Sequence, residues 1–153
     1  MSEPKRATEL DPLLGAVHAE RVAALAADIG AQTIRAQRFF TLGQAASSPD
    51  VRLLCAASVR RATEWRRTFC EELQEVAGKA AGTSPDGVEV APMAKAIADA
   101  LTAQQEAIDA AFAPWLAEVK QELLADEFDA ALAEVGGLDL DPDTAVNVAK
   151  GDA

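Results

Sequence analysis

The chain has no tyrosine, a single histidine and only two cysteines, and its aromatic residues are two tryptophans and five phenylalanines. Each scarcity excludes something. One histidine, His18, cannot supply the paired Glu-x-x-His ligands of a di-iron helical bundle. No serine or cysteine nucleophile stands at a motif spacing from it. Cys55 and Cys70 are fifteen positions apart, about 22 Å on one helix at ~1.5 Å per residue. A disulfide needs Cα atoms within about 7 Å, so two free buried thiols are expected. Free thiols fit a reducing compartment.

Few aromatics leave alanine to fill the interior. Half of the 153 residues are apolar, so a one-domain core is possible. An alanine core buries less area per residue than one of leucine or phenylalanine. Modest stability as a monomer follows, and with it a pressure to self-associate. No run of about 20 apolar residues exists, so no membrane span is expected. The start, MSEPKRATELDP, has no apolar segment behind its charges, so a secretory leader is not expected and the cytoplasm is the default location. There is no GxGxxG, P-loop, GxSxG or paired CxxC motif. No catalytic residue, cofactor or metal ligand is therefore assigned.

Positive charge is scarce only in the second half. The net charge is −11. Residues 1–82 hold 11 Lys+Arg against 10 Asp+Glu, and residues 83–153 hold 3 against 15. Such acidity disfavours nucleic acid as a partner for the whole surface.

Proline placement marks helix starts. Asp11-Pro12, Ser48-Pro49 and Asp141-Pro142 each set a capping side chain before a proline that suits the first helical position. Asp50 and Asp143 then sit where the helix dipole favours negative charge. The first helix is predicted over about 12–46, with a stripe of Leu14, His18, Val22, Leu25, Ile29, Gln32, Ala36 and Phe39. Gly30 and Gly43 weaken it, and either could break it. The second is predicted over about 49–78, with Leu54, Ser58, Ala62, Trp65, Phe69, Leu73 and Val76 on one face. Gly78 and Gly82 end it, and SPDG (84–87) reads as a turn. A third helix opens at Pro92 and carries Ile97, Leu101, Gln104, Ile108 and Phe112. Pro114 kinks or breaks it. The stripe resumes at Trp115, Val119, Leu123 and Phe128, up to Val135.

The predicted fold is all-α: an antiparallel helical bundle or an extended helical hairpin with long helices. Residues 1–11 are expected to be a flexible N-terminus and 12–135 a single helical domain with a loop at about 79–91. Residues 136–153 are expected to form an acidic tail or short helix. Long helices with an alanine-rich seam pack as coiled coils between chains as well as within one.

Seven arginines crowd residues 35–67 against two acids, Asp50 and Glu64. Arg52, Arg60, Arg61, Arg66 and Arg67, with Trp65, are the candidate partner-binding residues. The competing reading pairs them with the chain's own acidic half or with a second copy. His18 lies on an apolar stripe and reads as a seam residue. Glu106, Asp109, Glu118, Glu122, Asp126, Glu127, Asp129 and Glu134 read as a solvated face. Asp139, Asp141 and Asp143 alternate like the opening of a calcium loop. Thr144 and Lys150 stand where such a loop needs glycine and glutamate.

The alanine- and glutamine-rich long helices of residues 17–80 resemble those of phasins, the helical coat proteins of bacterial polyester granules. That resemblance implies a helical coat without a catalytic site. Trp65-Arg66-Arg67 and the acidic second half depart from it, and no residue is carried over.

The expected function is a non-enzymatic interaction or scaffold protein. It would self-associate through Leu54, Trp65, Phe69, Leu73 and Val76 against Ile97, Leu101, Ile108 and Trp115. A homo-oligomer is the first expected partner and another protein the second. The alternatives are an arginine face for an anionic partner (acidic protein, lipid or nucleic acid), a phasin-like coat, or an apolar ligand pocket near Trp65 and Trp115.

Overall fold

The computed structural model describes residues 3–84, 86–122, 130, 131 and 133, with side chains from residue 16 onward. The chain is all-α. Three helices follow one another: α1 (Glu3–Ala45), α2 (Pro49–Ala77) and α3 (Val90–Glu122). No strand occurs among the described residues. Thr83 and Glu89 form one isolated antiparallel bridge.

The α1–α2 corner forms where the sequence places it. Ser48 precedes Pro49, and proline pushes the residue before it out of helical geometry. The Ser48 carbonyl then accepts from Arg52 N–H at 3.0 Å, which opens α2. Asp50 lies in its first turn. Beyond Ala77 the chain tightens, with Lys79 N–H on the Val76 carbonyl at 3.0 Å. The connection to α3 is closed by Val90 N–H on the Gly82 carbonyl at 2.9 Å and Ser84 N–H on the Val88 carbonyl at 2.8 Å. Gly87 takes φ 83° there, a conformation that favours glycine.

Two expectations about helix boundaries need correcting, and a third is narrowed. The first helix begins at Glu3, not near residue 12. Glu3 and Pro4 suit a first turn, and the good helix formers of residues 5–10 carry the helix through Pro12. The third helix begins at Val90, two residues before Pro92. Pro92 then lies in the first turn, where its missing N–H has no partner to lose. Pro114 neither ends α3 nor starts a new helix. It is exposed, while Phe112, Trp115 and Val119 are buried around it and hold the helix on both sides. Gly30 and Gly43 likewise lie within an unbroken α1.

The chain divides into two compact units, each drawing on all three helices: Met1–Gly30 with Arg67–Gln104, and Ala31–Arg66 with Gln105–Ala153. The core of the first unit joins Val22, Leu25 and Ile29 to Cys70, Leu73 and Ala77, and these to Val90, Ala94 and Ala98. In the second unit Phe39, Cys55, Val59, Phe112, Trp115 and Val119 form the core. Within each unit α2 and α3 run antiparallel. Gln74 meets Asp99 and Thr102 in the first, while Thr63 meets Gln105 and Arg52 meets Glu122 in the second.

The sequence-predicted stripes need two corrections inside the helices. Trp65 is 46% exposed, and Arg66 beside it is 1% exposed. Gln104 is exposed, and Gln105 is buried. Both are shifts of one position, and both bring a polar residue inward. Leu123, Phe128 and Val135 lie outside the described residues, as do the acidic tail and the Asp139–Asp143 alternation.

Candidate functional site

Of the described charged and polar side chains in the second unit, Arg66 is the most deeply placed. Its Nε donates to Thr33 Oγ1 at 2.8 Å, and its Nη1 donates to Gln105 Oε1 at 2.7 Å. Gln105 Nε2 in turn donates to the Thr63 carbonyl at 3.2 Å and to Asp109 Oδ1 at 3.0 Å. One layer thus ties α1, α2 and α3 together by directional bonds. A buried cation without such partners costs far more than its hydrophobic replacement. The layer therefore fixes which residues face one another rather than adding simple stability.

The other arginines of α2 in this unit are also engaged. Arg52 Nη1 pairs with Glu122 Oε2 at 2.7 Å. Arg60 Nε and Arg61 Nη1 share Glu64, at 3.1 Å and 3.4 Å. Arg60 remains more than half exposed, so its pair contributes little to stability. Trp65 lies exposed on the following turn. Arg67 belongs to the first unit and is exposed. The candidate set is therefore not one continuous site: Arg66 is inside, Arg52 is tied to α3, Arg61 is half-buried with its Nε shut off from solvent, and Arg60 and Trp65 face outward.

The aromatic part of the second unit is filled. Phe40 lies 5.0 Å from Phe112 and 5.4 Å edge-on from Trp115. A Cβ at Gly43 would come within 2.5 Å of the Trp115 ring and 2.9 Å of Cys55 Cβ. The Trp115 indole therefore occupies space that only a glycine leaves open. Both cysteines are buried and free, and burial pushes the Cys55 thiol up to about 11. His18 is half-buried. Among the described residues no group of three or more His, Cys, Asp or Glu is placed to hold a metal ion. No helix among them is long and apolar enough to cross a membrane.

A cavity of about 410 Å³ opens in the first unit. Ala16, Ala19, Val22 and Ala23 of α1 form one wall, and Val90, Met93, Ala94 and Ile97 of α3 the other. The 81–84 segment closes one side, and among the described residues Glu20 is the sole charged one lining it. Small side chains make the space, since alanines on α1 and α3 do not reach across. Val17, Val88 and Met93 are 60%, 48% and 44% exposed in the same unit. No sequence rule singled this groove out. The clue was alanine at 16, 19, 23 and 94, on faces where leucine would close the gap.

Compared with known proteins, the chain matches no protein-family model, no curated protein and no solved structure.

Proposed function

We propose that this is a non-enzymatic helical interaction protein that associates with copies of itself through the first unit. The observation that supports it is the apolar groove beside exposed Val17 and Met93. Apolar surface of this kind, rimmed by polar residues, marks interaction sites. The seam differs from the sequence expectation, because Leu73 and Trp115 are already used inside the chain. A granule-coating role, implied by the phasin resemblance, would use the same apolar surface.

Sedimentation velocity at micromolar concentration tests this at about 50 mM and about 500 mM salt, where the Debye length falls from roughly 14 Å to under 5 Å. An oligomer at both salts that Met93→Glu dissociates is expected. A monomer at both salts overturns the proposal.

A second reading keeps Arg60 and Arg61 for an anionic partner. The exposed indole of Trp65 beside Arg60 and Arg61 favours it. Arg60→Glu with Arg61→Glu should then abolish capture of an acidic partner while leaving the melting curve in place.

A further inference from the structure

The space around Trp115 in the second unit is taken by aromatic rings. Room of small-molecule size lies in the first unit instead. Its groove holds about 410 Å³, within the roughly 300–1,000 Å³ of ligand sites. Val22, Val90 and Ala94 line it and are buried, so they form its apolar floor. The wall beside them is fixed by the backbone. Val90 N–H donates to the Gly82 carbonyl at 2.9 Å, and Ser84 N–H donates to the Val88 carbonyl at 2.8 Å. Val88 N–H returns a bond to Ser84 Oγ at 3.2 Å. Gly82 takes φ 94°, a conformation that favours glycine. A wall already in place leaves less ordering for a ligand to offset.

The charges around this groove leave one sign unanswered. Glu20 lines it, and none of the ion pairs among the described residues includes Glu20. The basic residues that flank the lining segments are each held by a carboxylate. Arg21 pairs with Glu72 at 2.6 Å, Lys79 with Glu75 at 3.5 Å and Lys95 with Asp99 at 3.5 Å. Asp86 and Glu89 stand exposed in the connection that carries the fixed wall. Thr83 and Ser84 add hydroxyl oxygens, which accept hydrogen bonds. The floor thus suits an apolar body, and the rim suits a positive head.

We propose that this groove binds a small hydrophobic ammonium ion, its apolar body against Val22, Val90 and Ala94 and its charge at Glu20. This goes beyond self-association, and a second copy of the chain would compete with the cation for the same surface.

The test titrates octylammonium into the full chain at about 50 mM salt, with octanol and octanoate as the neutral and anionic counterparts. Binding is read on the carbon-13 methyl signal of Met93, one of two methionines. Octylammonium should shift it to saturation. Hexylammonium should bind about two- to fourfold more weakly for each methylene lost. Glu20→Gln, a conservative change at an exposed position, should weaken octylammonium by about threefold or more, leave octanol unchanged and strengthen octanoate. Ala23→Leu should weaken all three, because the larger side chain enters the groove. Absence of a saturable Met93 shift overturns the proposal. So does an affinity for octylammonium that Glu20→Gln or Ala23→Leu leaves unchanged, or tighter binding of octanoate by the native chain. Amide shifts spread equally over both units also overturn it, as the mark of a detergent effect. Sedimentation of the same samples separates the two claims. A monomer that binds the cation upholds this inference and removes self-association, and an oligomer that binds none does the reverse.

Discussion

The first unit closes its core with Leu25, Ile29 and Leu73 against small residues, leaves a groove, and carries its Arg21–Glu72 pair at 2.6 Å on the surface. The second unit packs Phe39, Phe112 and Trp115 tightly and places an arginine inside. The same three helices thus solve one problem twice. Where alanines face alanines, helices approach without specifying a register, and space is left over. Where an arginine, a glutamine and two threonines meet, the register is fixed by hydrogen bonds that allow no slip. The loosely specified unit is the better place for a partner, and the strictly specified one the better place for a scaffold.

The largest effect expected in a test of that contrast lies at Arg66. Arg66→Ala removes a donor from half-buried Thr33 and buried Gln105 and leaves a void, and should cost about 3–5 kcal/mol in urea denaturation. Arg21→Ala should leave the urea midpoint essentially unchanged at 500 mM salt, because its partner Glu72 is exposed. Glycine gives a contrast of sign. Gly43→Ala should destabilise by about 1–3 kcal/mol, because the new methyl meets Trp115 and Cys55. Gly30→Ala should stabilise by about 0.5–1 kcal/mol, since a Cβ there meets nothing within 4 Å and helix propensity improves. Two substitutions of like sign would break the comparison.

A smaller effect is expected from pH. The Cys55 thiol is raised from 9.0 to about 11 by burial. The unfolded chain ionises it first, so its contribution to stability is complete below pH 9 and is lost as pH rises toward 11. Denaturation midpoints measured at intervals from pH 8 to 11 should fall across that window in the native chain. The fall should be shallower in Cys55→Ala.

Much of the fold was legible because its signals are local. Ser48-Pro49-Asp50 opens α2, the glycines after Ala77 end it, and Val22, Leu25, Ile29, Ala36 and Phe39 mark the buried face of α1. The misread positions have a common physical cause. A hydrophobicity reading puts Trp65 inside and Arg66 outside, since an unpaired buried guanidinium is prohibitive. The partners that reverse this, Thr33 and Gln105, lie 33 and 39 positions away and are brought close only by the fold. Spacing did hold a clue. Val59, Ala62, Arg66, Cys70, Leu73 and Ala77 recur at threes and fours through the arginine, and Trp65 falls outside that series. Likewise Gly43 read as a helix weakener, because Trp115 is 72 positions away. The helix starts at Pro12 and Pro92 were misplaced because proline is tolerated in a first turn and, where the helix is otherwise well supported, beyond it.

The central claim is that the Arg66 layer sets the register of the second unit. A double-mutant cycle of Arg66→Met and Gln105→Leu, read by urea denaturation, tests it most directly. Each single substitution leaves a buried polar partner unsatisfied and should destabilise by about 1–3 kcal/mol. The double variant replaces the pair by apolar groups and should recover at least about 1 kcal/mol relative to the sum of the singles. Additive losses, with no recovery, would show that Arg66 and Gln105 act independently and would contradict the account.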